Sequence, residues 1–171
     1  ASFPFTSNQT LYAQWTALTY SISFNNSNTA SAGGATGSGA PSTQSGSGVG
    51  SVTLTSFAGT PPSGYSFGGW ATSNGSTTVS YSNGASISIT SNTTLSLFPV
   101  WTAGTNTVTF NNNNGSGTMA NQSITSGTAT LLTTNTFTRI GYTFNGWNTN
   151  ADGTSGSSYS DGQSVTLTSG L

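Results

Sequence analysis

Gly64-Tyr65-Ser66-Phe67-Gly68-Gly69-Trp70 is written a second time as Gly141-Tyr142-Thr143-Phe144-Asn145-Gly146-Trp147, with Thr for Ser and Asn for Gly. In both copies the Tyr and Phe stand two residues apart, so on a strand their side chains share one face. The glycine before each Trp lets the backbone bulge and return the indole to the same side. Three large aromatics on one face form the core of a small unit, and a unit written twice is a repeat. The reading therefore assigns Tyr65, Phe67 and Trp70 to the core of one repeat, and Tyr142, Phe144 and Trp147 to the core of another.

The flanks repeat in the same order. Upstream, Tyr20-Ser21-Ile22-Ser23-Phe24 alternates apolar and polar residues, as its counterpart Asn106-Thr107-Val108-Thr109-Phe110 does, and each predicts a strand. The Gly, Ser, Thr and Ala stretch from 26 to 48 reads as a flexible loop or ragged hairpin tip, shortened in the second copy to Asn111–Thr118. Such a length change is cheap, because closure entropy grows only logarithmically. A second strand runs from Val49 to Phe57, matched by Gln122 to Leu132. Beyond the aromatic motif, Tyr81-Ser82-Asn83-Gly84 and Tyr159-Ser160-Asp161-Gly162 are turns leading into short alternating strands. A closing strand, Thr90 to Trp101, ends the first copy. The segment Thr6 to Trp15 matches it, with Asn8 on Asn92 and Leu11 on Leu95.

No helical period persists beyond a turn, and Ser, Thr, Gly and Asn are poor helix formers. The predicted fold is all-β or mostly β, an elongated tandem array of small repeats with little or no helix. Its divisions are 1–16, a closing strand of a preceding or neighbouring repeat; 17–103, the first repeat with the long loop 26–48; and 104–171, a second repeat without its closing strand. The start without Met gives the expectation of a processed protein or a segment of a longer one.

Composition narrows the function. Of 171 residues only Arg139, Asp152 and Asp161 carry charged side chains, against roughly a quarter in an average protein. Four Trp, six Tyr and nine Phe supply cores that a disordered polar chain would lack. A surface of Ser, Thr, Asn and Gly points to an extracellular or cell-surface location. With no Cys there is no disulfide or thiolate, and with no Lys there is no lysine cross-link. The apolar run Leu95–Trp101 is too short to cross a bilayer, so no membrane insertion is expected in this segment.

These ordered motifs resemble the Listeria–Bacteroides repeat, also called the internalin-type B repeat: V-T-F, a Gly- and Asn-rich turn, G-Y-T-F-x-G-W, a Y-x-D-G turn and a closing N-x-T-L-Y-A-x-W. The likeness covers 106–171 well, 17–101 with one enlarged loop, and 3–15 as a closing fragment. It implies a β-grasp-like module, a small mixed sheet of about four strands, strung in tandem on bacterial surface and secreted proteins as stalks or adhesive spacers without catalysis. The chain departs from the family in its near-absence of charge and in the missing closing strand of its last repeat.

Asp152 and Asp161 could form an acid–base pair or a Ca²⁺ site. Their counterparts are Asn74 and Asn83, however, and each is followed by Gly, so the position requires a turn-capping side chain and not a charge. A hydrolase needs a nucleophile beside a base, and there is no His, Cys, Lys or Glu. No catalytic, cofactor or metal residue is expected. Gly33-Gly34 has no following helix or Lys for a phosphate, and one Arg cannot hold nucleic acid. Arg139 is expected along an aromatic face or near a carbonyl. Thr-x-Thr pairs such as Thr53–Thr55 and Thr107–Thr109 are too isolated for an ice-binding face. Asn-x-Ser/Thr glycosylation acceptors stand at Asn8, Asn25, Asn74, Asn92, Asn114 and Asn121.

The resulting expectation is a non-enzymatic extracellular structural protein forming a stalk or filament. The alternative is an adhesin module that binds surface carbohydrate through exposed Tyr and Trp. Because one closing strand is surplus and one repeat lacks its own, Leu11, Ala13 and Trp15 are expected to be donated to a copy of the same chain, head to tail. Self-copies are the expected partner and surface glycans the alternative, with no nucleic acid.

Overall fold

A computed structural model describes Pro4 and residues 7–168. Among these residues the regular structure is almost all strand, as expected, with one 3-10 turn at Ala32–Gly34. The first repeat contains β1 (Thr19–Phe24), β2 (Gln44–Ser47), β3 (Gly50–Thr53), β4 (Tyr65–Ala71), β5 (Ser86–Ile89) and β6 (Thr93–Ala103). The second contains β7 (Thr105–Val108), β8 (Gln122–Thr125), β9 (Thr130–Leu131), β10 (Trp147–Asn148), β11 (Ser158–Tyr159) and β12 (Ser164–Val165).

The first repeat is a four-stranded mixed sheet in the order β2-β1-β6-β4, with a separate antiparallel pair β3-β5. Its closing strand β6 lies at the centre, parallel to β1 on one side and antiparallel to β4 on the other. That position explains its burial: Leu97, Pro99, Val100 and Trp101 are all buried, so both faces of the strand are covered. The bulge predicted before Trp70 is present as a register shift between Phe67 and Gly69. Gly69 has φ +140, and a Cβ there would stand 2.8 Å from the Tyr81 carbonyl oxygen. Gly146 repeats the device, with φ +124 and 2.8 Å to the Tyr159 carbonyl.

The loop 26–48 differs from the expectation. Its second half holds β2, which pairs antiparallel with β1, as β8 pairs with β7 in the second repeat. Gln44 spans to the backbone of Thr53 and Thr55, and Gln122 spans identically to Leu131 and Thr133. The counterpart of β8 is therefore β2, and the segment 49–57 carries β3, the counterpart of β9. Gln44-Ser45-Gly46-Ser47 shows no apolar alternation because its core contribution comes from across the ladder. Tyr20 stands opposite Gly46 and covers it, whereas in the second repeat Asn106 stands opposite a buried Ile124. One large side chain per pair is kept, on opposite strands. The extra length of the first repeat lies between Asn26 and Gly37, and this insertion packs on Trp101. Ser31 accepts from the Trp101 N–H at 2.7 Å, and Gly37 lies close against the indole ring.

Two cores result. Ile22, Leu54, Phe57, Trp70, Ile87, Ile89, Leu97 and Trp101 form the first, and Phe110, Ile124 and Leu132 the second. A single residue, Gly104, separates β6 from β7, and its backbone ties the repeats together: its N–H donates to Gly64 and its carbonyl accepts from Ser126. The Tyr65 hydroxyl adds a bond to the Ser126 carbonyl at 3.2 Å.

Candidate functional site

The aromatic motif lands differently in the two repeats. Trp70 is fully buried, and Tyr65 and Phe67 are half-buried. Trp147 is only half-buried, while Tyr142 and Phe144 are 68% and 40% exposed, a correction to their expected place in a closed core. The local aromatic geometry is nevertheless preserved. Phe24, Phe57 and Phe67 surround Trp70 at centroid distances of 5.1, 6.1 and 4.8 Å, and Phe110, Phe137 and Phe144 surround Trp147 at 4.8, 6.1 and 4.8 Å. In the first repeat Trp101 closes the cluster, edge-on to Phe57 at 5.6 Å and to Phe67 at 5.8 Å. The second repeat has no counterpart of Trp101 among the described residues.

In its place is a groove of about 1190 Å³, lined by Val108, Phe110, Leu132, Tyr142, Phe144 and Trp147 among others. It lies between β7 and the segment 142–147, which are the counterparts of β1 and β4. Those are the strands that β6 joins in the first repeat. Without a strand to pair with, 142–146 forms no ladder, although Tyr142 keeps the turn bond to the Arg139 carbonyl that Tyr65 makes to Pro62. Among the described residues the Trp147 indole N–H is buried with no partner, as are those of Trp70 and Trp101, so the polar edge of the ring points away from solvent.

A feature not anticipated from sequence is the pair Asn25 and Asn111, which directly follow Phe24 at the end of β1 and Phe110 two residues beyond β7. Asn25 donates through both its backbone N–H and its Nδ2 to the Leu97 carbonyl, at 2.8 and 2.9 Å, and so clamps the closing strand. Asn111 uses Oδ1 to accept from the Asn113 N–H, and its Nδ2 makes no hydrogen bond among the described residues. The common Phe-Asn of Phe24-Asn25 and Phe110-Asn111 was the available signal.

The segment expected to be donated is exposed. Leu11, Tyr12 and Trp15 are 77%, 79% and 90% accessible, Ala13 is exposed, and residues 7–17 pair with no strand among the described residues. Its C-terminal end is fixed beside β1, where Gly48 donates to the Leu18 carbonyl and Thr19 donates to the Asn92 side chain. Residues 1–3, 5 and 6 of the predicted closing fragment lie outside the described residues.

The other candidates take the structural places expected of them. Asp161 accepts from the Asn135 N–H at 2.8 Å, as Asn83 accepts from Phe57 at 2.8 Å. Asp152 accepts from the Thr154 N–H at 3.0 Å within its own turn, and that backbone bond holds its carboxyl below the ordinary range. Arg139 lies over the Tyr142 ring at 4.1 Å. Of the glycosylation acceptors, Asn8, Asn74, Asn92, Asn114 and Asn121 are exposed, whereas Asn25 is occupied in the strand clamp. Among the described residues no helix is long and apolar enough to cross a membrane.

The family model for the Listeria-Bacteroides repeat domain matches residues 20–96 and again residues 107–171. No curated protein and no solved structure matches the chain.

Proposed function

Because the chain belongs to the Listeria-Bacteroides repeat family, which is associated with bacterial surface proteins, we propose that it is a non-enzymatic extracellular structural protein, a stalk or filament whose repeats are joined end to end by shared strands. The observation that carries this reading is the junction at Gly104. There the strand that closes one repeat runs through one residue into the strand that opens the next. A chain built this way has no slack linker at this junction, and the closing strand β6 is held by ladders on both sides. The residue inventory supports a structural role over catalysis, since no His, Cys, Lys or Glu is present to serve as base or nucleophile. Low charge suits close packing of like filaments, which would otherwise repel.

The open groove extends the reading to assembly between copies, with the exposed segment 7–17 as the shared strand. Electron microscopy and sedimentation of the full chain and of a chain lacking residues 1–15 test it. Filaments or head-to-tail oligomers are expected for the full chain and are expected to disappear on deletion. Undiminished assembly without the segment would overturn strand sharing.

A second reading, a carbohydrate-binding adhesin, has one observation in its favour: exposed Tyr142 and Phe144 lie in the groove beside Asn112 and Asn145. Binding to a glycan array that is abolished by Tyr142→Ala and unaffected by deletion of residues 1–15 would favour it.

A further inference from the structure

Resting on the shared-strand reading and deepening it, we propose that the second repeat is closed by residues 8–17 of another copy, in the register set by Trp15 on the place of Trp101. Counting back from the tryptophans, Leu11-Tyr12-Ala13-Gln14-Trp15-Thr16-Ala17 lies without a gap on Leu97-Phe98-Pro99-Val100-Trp101-Thr102-Ala103. This register moves Leu11 from the place of Leu95, where matching the asparagines puts it, to that of Leu97. The shift is an even one, so the inward face remains Leu11, Ala13 and Trp15. The places they take belong to Leu97, Pro99 and Trp101, all buried in the first repeat.

The register specifies every neighbour. β6 pairs with β4 through Phe67↔Trp101, Gly69↔Val100 and Trp70↔Pro99, so Trp15 falls opposite Phe144, Gln14 opposite Gly146 and Ala13 opposite Trp147. On the other edge Phe24↔Leu97 becomes Phe110 beside Leu11, in parallel. The Trp15 indole then stands edge-on to Phe137 and Phe144, as Trp101 stands to Phe57 and Phe67. Asn111 receives the Leu11 carbonyl on its N–H and on its Nδ2, which has no partner among the described residues, as Asn25 receives that of Leu97. Two exposed apolar sets, Leu11 and Trp15 on one side and Tyr142 and Phe144 on the other, then cover each other. Leu18 and Thr19 hold the end of the donor segment at β1 of its own repeat, so the donor's repeat follows the acceptor's repeat as β7 follows β6 within the chain. Such a contact is heterologous, so it propagates unless its rotation closes a ring.

The absence of cysteine makes the register directly measurable. Thr16 and Thr143 correspond to Thr102 and Ser66, an exposed antiparallel pair, so the double variant T16C/T143C is expected to oxidise to a ladder of covalent oligomers. Q14C/T143C, two residues out of step, is expected to give at least tenfold less. Asn111→Ala is expected to weaken assembly roughly two- to tenfold, the equivalent of one uncharged hydrogen bond. Equal ladders from both cysteine pairs would overturn the register while leaving strand sharing intact. Neither ladder nor non-covalent oligomers would overturn both. A cross-linked monomer, a groove closed by residues following Leu171 in a longer chain, or glycan binding in place of cross-linking would each overturn the assignment to a second copy.

Discussion

Phe144 lies 4.8 Å from Trp147, centroid to centroid, at an interplanar angle of 66°, and Phe67 bears nearly the same relation to Trp70 at 4.8 Å and 64°. Yet Trp70 is fully buried and Phe144 is 40% exposed. The motif sets its internal geometry through the glycine bulge and the turn before it, and burial is added by a strand from elsewhere in sequence. Two layers of specification are thus separable.

Trp70→Ala is expected to destabilise the first repeat by about 3–5 kcal/mol, the range for truncating a buried large side chain in a tight core. Trp147→Ala should cost less in the isolated chain, since its ring is half-buried. With two separate cores, denaturant unfolding followed through far-UV and tryptophan signals should show the first repeat melting early in the first variant while the second persists. A single shared transition in both variants would mean that the contacts at Gly104 and Tyr65 couple the repeats into one unit.

The exchange of partners between the two hairpins predicts a rescue. Gly46→Ile alone drives a side chain into the Tyr20 ring, whose atoms stand 2.7 to 2.9 Å from the site of a Cβ, and should cost about 1–3 kcal/mol. Adding Tyr20→Asn recreates the Asn106–Ile124 pair of the second repeat and should recover most of that loss. A double-mutant cycle with no coupling would show that the pairs are not interchangeable.

Gly69→Ala and Gly146→Ala should each destabilise by more than about 1 kcal/mol, because the backbone there is left-handed or beyond and the added methyl meets a carbonyl oxygen. Gly141→Ala, at φ +77 with open space around it, should carry only the conformational cost. Thermal melts of the three variants, ranked against one another, check the order.

Stability should be nearly flat with pH from about 5 to 9. Asp152 is the carboxyl whose folded pKa is lowered, from an ordinary 3.8, so its contribution is present above the unfolded pKa and is lost as pH falls through the folded one. Full exposure keeps that contribution slight. Asp161→Asn should leave the melting temperature unchanged, since Asn83 makes the same bond to a backbone N–H. A steep loss of stability between pH 7 and 5 would reveal a coupling that these side chains do not provide.

The sequence by itself determined the repeat, the strand-rich fold, the bulge before Trp70 with the matching glycine conformation before Trp147, and the equivalence of Asp161 with Asn83, because all of these depend on local pattern and on residue types that few backbones accept. Only the tertiary structure decided where the ladders run. β2 carries no apolar alternation, since Tyr20 fills the space above Gly46 from the neighbouring strand, and a contact across a ladder leaves no trace in its own segment. The exposure of Tyr142 and Phe144 was hidden for the same reason. Their copies of the motif are as aromatic as Tyr65 and Phe67, but burial depends on the strand that lies beside them, which in the first repeat is β6 and which in the second no described residue of the same chain supplies.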